Sequence, residues 1–443
     1  MTLPAEPLAT ASLLKAVPHT PFPRLVTGML ISNLGGMIAL LTPLQLLLTL
    51  HLTRIAGVDA AAAFGVVSGI GALFAVFANP LGGRLSDRTA ARFGRRRTWI
   101  LTGAIAGSLV IFAINFTTEV WQVIIVWALA QTAFNFQLAA SNALMPDQVP
   151  EERRGTVAGL AGAVAALAPL LGLLAVSLIH NSLIQWTIVA VVALVAGIIA
   201  VILIRDPQHL QADRVPLNIV ELAKSFWLNP RRHPAFGWAW ITRFLITCGV
   251  AANSYQTFFL MQKLGYTEEE VGGQVLLIAL LTVGLIVVAS AIGGVLSDKI
   301  RRQKPFVVAA GVLAAAGMIV MAFASDVSHV FVAGALTGVG TGLFFAIDLA
   351  LCVRMLPSSE NAGKDLAIIN MANTLPQSFV PLIAPALLAL GSFPVLYLTL
   401  AVLCLLGTVA VRRLSDIGQE EDPCFAPVMR IKPTSSHPQN PVL

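Results

Sequence analysis

Charge is what this sequence has least of. Lys and Arg number 28 and Asp and Glu 22 in 443 residues, so 11% of positions are charged, against roughly 25% in a soluble protein. With 57% apolar residues and a mean hydropathy of +0.82, that shortage excludes a disordered chain and an ordinary water-soluble enzyme. Alternation of apolar and polar residues is scarce too, which excludes the strands of a membrane barrel. Cysteine is rare: Cys248, Cys352 and Cys404 lie in apolar stretches and Cys424 in a polar tail, so no disulfide framework is expected. There is no G-x-x-x-x-G-K-[ST] loop, which argues against ATP-driven pumping. There is no Cys/His metal cluster, and no Ser/His/Asp set stands out. Neither metal, cofactor nor enzyme activity is expected. His51, His180 and His329 sit near stretch ends and read as interfacial. The first 21 residues have no apolar core of signal-peptide type, so the N-terminus is expected to stay in the cytoplasm.

What is present is a series of apolar stretches of about 20 residues, the length that spans a bilayer as a helix. Twelve are counted, near 25–50, 60–82, 98–116, 120–144, 156–178, 184–204, 235–261, 271–296, 306–324, 329–354, 366–390 and 394–411. The expected fold is an all-α membrane protein, twelve transmembrane helices in two six-helix bundles, 23–204 and 235–412. Short tails, 1–22 and 413–443, flank them. The stretch between the bundles, 205–234, is charged and broken by prolines. Its Leu217, Val220, Leu222, Phe226 and Trp227 predict a short helix lying on the inner membrane surface. The fifth stretch is rich in small residues such as Gly155, Gly159, Gly162 and Gly172, which permit close helix packing in lipid.

The basic residues set the orientation. With the N-terminus inside, every Lys and Arg falls on the cytoplasmic side except Arg54 and Lys263 outside and Arg243 within a span. By the positive-inside rule both termini are cytoplasmic in the plasma (inner) membrane. The same asymmetry accounts for the net charge of +6 without a nucleic-acid partner.

The two bundles repeat. Gly83-Arg84-Leu85-Ser86-Asp87-Arg88 follows the second span, and Gly294-Val295-Leu296-Ser297-Asp298-Lys299 follows the eighth. Pro146 and Pro357, closing the fourth and tenth spans, are separated by the same interval. Parallel repeats of six spans are a transporter signature. The segment Gly83 to Arg97, G-R-L-S-D-R-T-A-A-R-F-G-R-R-R, resembles the loop signature G-x-L-x-D-R-x-G-R-R of the major facilitator superfamily. Asp87 and Gly94 lie farther apart than in the general pattern. That longer form, with Pro146-Asp147-Gln148-Val149-Pro150-Glu151-Glu152-Arg153-Arg154-Gly155, is similar to the glycoside–pentoside–hexuronide cation symporters and the proton-coupled sucrose transporters. The resemblance implies a conformational latch: Asp87, near Arg88, Arg95, Arg96 and Arg97, attracts the positive N-terminal end of the eleventh span, near Leu366. Gly83 and Gly94 permit the turns. The second copy keeps Gly294, Asp298, Lys299, Arg301 and Arg302, but no glycine follows.

Ionisable residues deep in a membrane are candidates for function. Arg243, nine residues after Pro234, and Asp348, nine before Pro357, lie at similar depth and are candidates for a pair. They form either a permanent structural bridge or a coupling site where Asp348 gains and loses a proton under the influence of Arg243, with Arg243 as a direct ligand for an anionic or hydroxyl-bearing solute as the alternative. Polar faces flank them: Asn370, Asn373, Thr374 and Gln377 on the eleventh span; Gln131, Asn135 and Asn142 on the fourth; Arg243, Thr247, Ser254 and Thr257 on the seventh; Asn33 and Gln45 on the first. Amides and hydroxyls both donate and accept hydrogen bonds, which suits a hydroxyl-rich solute. Pro376, Pro381 and Pro385 bend the eleventh span. The expected function is secondary active transport by alternating access: proton-coupled symport of a sugar or glycoside, by a monomer that engages only its small-molecule solute and the bilayer. Proton-coupled efflux of an amphipathic compound is the alternative, with a non-transporting sensor or scaffold behind it.

Overall fold

In a computed structural model of the chain, the described residues are 20–206, 234–300, 304–354 and 362–413; the side chains at 235, 298, 348–354, 362–370, 374 and 378 are outside the description. The inner-surface helix expected in 205–234 and the two tails fall almost wholly outside these residues, as does Arg301.

Among the described residues there are helices and no strands. In the N-terminal half run α1 (Phe22–Thr42), a π-helical turn (Pro43–Leu47), α2 (Leu48–Ala56), α3 (Ala60–Arg88), α4 (Arg95–Ile114), α5 (Val120–Gln148), α6 (Glu151–Val176) and α7 (Ser182–Leu203). The C-terminal half holds α8 (Pro234–Ala251), an irregular run to Lys263 with a 3₁₀ turn (Ala252–Tyr255) and a π turn (Phe259–Lys263), then α9 (Glu268–Ile300), α10 (Lys304–Ala322), α11 (Val327–Arg354) and α12 (Ala362–Ala410). The starts are local chemistry. Asn181 accepts from the Ile184 N–H at 3.1 Å to cap α7, and Glu119 with Gln122 forms a capping box on α5, each satisfying donors that lipid would leave bare.

Among the described residues ten continuous runs are long and apolar enough to cross a membrane, against twelve segments expected. Two of the ten are overlong, Phe22–Arg88 with 67 residues and Met371–Arg413 with 43, whereas a crossing of about 30 Å takes about 20. Both fold back on themselves. His51 meets Thr117 beyond the far end of α4 (2.7 Å), while Asp87 meets Arg96 at its near end (2.5 Å). The chain therefore reverses between them, at Gly57–Asp59, where Gly57 has φ 54. In α12, Tyr255 donates to the Pro381 carbonyl (3.2 Å) and Phe259 packs on Phe393 and Tyr397. Cys404, farther along α12, is back at Ile246. The reversal falls at Gly391 and Ser392, and Ser392 holds φ 62, a strained value for a residue with a Cβ.

The core lies between helices and the outward surface is apolar, as with Leu109 on α4 and Ile202 on α7, the reverse of a water-soluble protein. Without a hydrophobic drive between helices in lipid, close approach does the packing. Gly35 of α1 abuts Ala193 and Ala196 of α7, and Gly342 of α11 abuts the Ile286 carbonyl of α9. The small residues of α6 behave differently from expectation. Gly172 packs against Thr42, but Gly155, Gly159 and Gly162 face open space.

Candidate functional site: a cavity between the halves

The arginine-rich end is organised by carboxylates from three other elements. Arg96, at the start of α4, is buried. Its guanidinium meets Asp87 at 2.5 Å, Asp147 at 2.9 Å and the Ser86 hydroxyl. Arg95 reaches Asp147 at 2.8 Å and Asp87 at 4.0 Å. Asp206, just past α7, accepts the backbone N–H groups of Arg96 (2.5 Å) and Arg97 (3.2 Å), so a carboxylate from far along the chain caps α4. Burial pushes the Asp206 carboxyl above its usual range, against the pull of those two N–H bonds and of Arg95 and Arg96. Gly94 makes this possible: it holds φ +102, and a Cβ there would stand 2.7 Å from Asp206. Asp206 was not singled out by sequence, and Asp147 was named only within the segment Pro146 to Gly155; their signal was an acid at the end of an apolar stretch beside a basic loop. Gly83 lends its carbonyl to Arg96 (3.4 Å). Arg88 is half-buried, Lys299 is exposed, and Gly294 faces open space. The side chain of Asp298 lies outside the described residues.

The opposite end is where described residues of the two halves close on each other. Arg54 donates from Nε (2.8 Å) and Nη2 (2.6 Å) to Glu268. His180 meets the Glu269 carbonyl at 3.2 Å. Deeper in, Phe64 of α3 stands edge-on to Tyr255 (5.4 Å) and Phe258 (5.2 Å), and Gly65 abuts Pro381 and Pro385 of α12. Deepest is a bond between two broken helices: the Thr257 hydroxyl donates to the Gln45 carbonyl at 2.5 Å. Gln45 sits in the π turn, and Thr257 in the irregular run after α8. Irregular backbone at membrane depth is tolerated where it is buried in protein or lines a cavity, and π turns mark functional places.

A cavity of about 240 Å³ lies directly beside this junction, walled by both halves. Its polar side chains are Gln45, Asn253, Gln256, Thr257, Thr282 and Thr341; apolar wall comes from residues such as Leu170, Val275, Ile286 and Phe345. None of the lining residues is charged. The cavity offers donors and acceptors without a charged side chain, a setting for a neutral hydrogen-bonding molecule with an apolar face.

Of the polar residues singled out in the sequence, Gln45 and Thr257 line this cavity. Arg243 is buried and donates to Asn373 Oδ1 at 2.8 Å, which Thr247 also reaches at 3.4 Å. α8 and α12 thus bring these three together beside the Trp240–Phe244 stack. Gln131 and Asn135 are buried and bond within α5, the Asn135 amide donating to the Gln131 carbonyl (2.8 Å) and side chain (3.2 Å). Asn33 is buried and Gln377 exposed. The side chains of Asp348 and Asn370 lie outside the described residues. Asn253, Gln256, Thr282 and Thr341 were missed. The available signal was the unbroken polar run Asn253-Ser254-Tyr255-Gln256-Thr257 within an apolar stretch.

The interval that relates Gly83 to Gly294 also relates Gln45 to Gln256, both on the cavity wall at helix breaks. It relates Ser32 to Arg243 and Gln137 to Asp348 as well. In the N-terminal half those two positions are bonded: Gln137 donates to the Ser32 carbonyl (3.2 Å) and hydroxyl (3.4 Å).

The family model of the Major Facilitator Superfamily matches residues 24–329 and 277–429. Multidrug resistance protein MdtG of Proteus mirabilis is 35% identical over 112 residues, 24% of this chain and 26% of that protein. Uncharacterized symporter sll1374 of Synechocystis is 35% identical over 112 residues, 24% of this chain and 20% of that protein. The chain therefore spans about a quarter of the length of these relatives. A solved D-xylose-proton symporter superposes with a TM-score of 0.66 over 89% of this chain and 98% of its own, at 15% identity, a likeness of fold.

Proposed function

The chain belongs to the Major Facilitator Superfamily, and from that premise we propose that it is a proton-coupled symporter of a neutral sugar or glycoside. As a member it is a membrane transporter of a small-molecule solute and not an enzyme. The finer reading rests on one observation, the uncharged cavity of amides and hydroxyls at the meeting of two broken helices. It works as a monomer in the plasma membrane, with the arginine-rich face and both termini cytoplasmic.

The proposed cycle has two bundles, 23–204 and 235–412, rocking about the cavity. Contacts from Arg54–Glu268 down to Thr257–Gln45 join the halves at the end assigned to the outside, which supports reading this state as the one open to the cytoplasm. Asp87, here held by Arg96 within its own half, turns to the start of α12 when the inner face closes. Coupling falls to Asp348, with Arg243 as its partner; the bonded Ser32–Gln137 pair at equivalent positions supports that pairing. Burial raises a carboxylate's pKa and an adjacent cation lowers it, so a change of separation between the two states loads or releases the proton. Gln45, Gln256 and the threonines hold the solute.

A second reading, proton-coupled efflux of an amphipathic compound, is favoured by the apolar wall at Val275, Ile286 and Phe345. Liposomes holding a pH dye and the reconstituted protein separate the two. A proton influx driven by an inward gradient of a neutral sugar, lost in Asp348→Asn, supports symport. Proton movement only with a lipophilic cation replaces it with efflux.

A further inference from the structure

Behind the central cavity lies a smaller chamber of about 20 Å³ within the C-terminal half. Asn253 and Gln256 line both spaces, so two amides stand between them. Tyr397 of α12 and Thr337 of α11 are its polar wall, and Met318, Met321 and Val330 are apolar neighbours. Tyr397 is 1% exposed, and its hydroxyl has no hydrogen-bond partner among the described residues. An orphaned buried hydroxyl costs about 1–3 kcal/mol. Thr337 spends its own proton on the carbonyls of Ala333 (2.9 Å) and Gly334 (3.1 Å), which leaves its oxygen able to accept. The chamber exceeds the roughly 10–15 Å³ that one water-sized group requires.

The N-terminal half carries different side chains at the positions one repeat interval earlier. Trp186 stands where Tyr397 does, fully buried and edge-on to His51. Thr42 stands where Asn253 does, pressed against Gly172. The side chains that line the chamber thus depart from the repeat.

We propose that this chamber is a specificity subsite that takes one hydroxyl of a neutral solute seated in the central cavity. The Tyr397 O–H donates to that hydroxyl, whose own proton goes to Thr337 Oγ1. Asn253 and Gln256 bind the atoms at the mouth, and in the empty carrier a water serves the same groups. The proposal rests on the reading of the cavity as a sugar or glycoside site.

The test is thermal unfolding of the purified full chain titrated with D-xylose, D-glucose, methyl β-D-glucoside and tetraphenylphosphonium. It compares wild type with Tyr397→Phe and Thr337→Val. Tyr397→Phe removes one oxygen and keeps the ring against Phe259 and Phe393; Thr337→Val is an independent probe of the same wall. The expected result is stabilisation by at least one of the neutral sugars, weakened roughly tenfold in affinity by each substitution, the worth of one hydrogen bond. Among monodeoxy analogues of that sugar, one alone binds wild type and variant equally. Sugar binding that neither substitution alters overturns the subsite and leaves the sugar reading standing. A response to tetraphenylphosphonium alone, or to none of the four, overturns the sugar reading and the subsite with it.

Discussion

The two halves of this chain use the same scaffold for different chemistry, and the difference lies in what fills equivalent positions. Ser32 and Gln137 bond to each other in the N-terminal half; the equivalent residues are Arg243 and Asp348. Trp186 fills its half's interior, whereas Tyr397 leaves a chamber and a bare hydroxyl. Gly71 is packed by Trp127 and Gln131, whereas Thr282, its equivalent, lines the cavity. The N-terminal half also holds an arginine-rich network, with Asp87, Asp147 and Asp206 around α4. In the proposed cycle the N-terminal half carries the Asp87 latch and the C-terminal half the Asp348 coupling residue, while the cavity is walled by both. Duplication supplies two similar bundles, and burial then decides which copy can retain a charge or a void, since each is expensive in lipid.

The largest expected effect tests that division directly. Asp348→Asn lowers sugar-driven proton influx by at least roughly a hundredfold, a loss of about 2.7 kcal/mol in coupling. Gln137→Met at the equivalent place leaves it within a few-fold. Equal losses in the pH-dye assay would erase the distinction between the halves. Next is Gly94→Ala, which forces a Cβ onto a positive φ and against Asp206. It destabilises by about 1–3 kcal/mol, while Gly294→Ala, with open space around it, does not. Thermal unfolding midpoints of the two variants check this, and similar midpoints would show the two loops to be equally built.

A smaller effect is expected at the outer face. The Arg54–Glu268 bridge joins the halves but is about one-third exposed on each side, so its contribution is at most about 1 kcal/mol. Glu268→Gln raises the rate at which an impermeant reagent labels Gln45→Cys from outside, by about fivefold or less, and high salt reduces the difference. The smallest concerns Asp206. Its raised pKa means that the folded chain holds the proton more tightly than the unfolded one, so its contribution to stability falls as pH rises through the window above the ordinary carboxylate value. Asp206→Asn keeps an acceptor for the α4 N–H groups and abolishes that slope. A wild-type melting temperature whose pH profile matches that of the variant would contradict it.

Much of the fold was legible because lipid imposes a simple rule on every residue it touches. Apolar runs of span length, closed by Pro146 or opened near Pro234, mark helices whatever they pack against. The repeat of Gly83–Arg88 at Gly294–Lys299 was equally plain. The two chain reversals fall in the gaps between expected segments, at Gly57–Asp59 between 25–50 and 60–82 and at Gly391 and Ser392 between 366–390 and 394–411. The cavity was the least legible part. Gln131 and Asn135 look like a polar face but satisfy each other along one helix, while Thr282 and Thr341 are single hydroxyls in apolar helices, and nothing local separates a cavity threonine from one bonded to its own backbone.

Composition and periodicity by themselves determined the helical class, the membrane as solvent and the duplicated plan, because each is set by the average chemistry of about 20 consecutive residues. Only the tertiary structure decided which polar groups share a space. Gln45 and Gln256 meet at one cavity because two broken helices from different halves touch through Thr257, and Tyr397 faces a chamber because α12 turns back beside α8. Those contacts join residues far apart in the chain, and their geometry is fixed by close packing rather than by any local pattern.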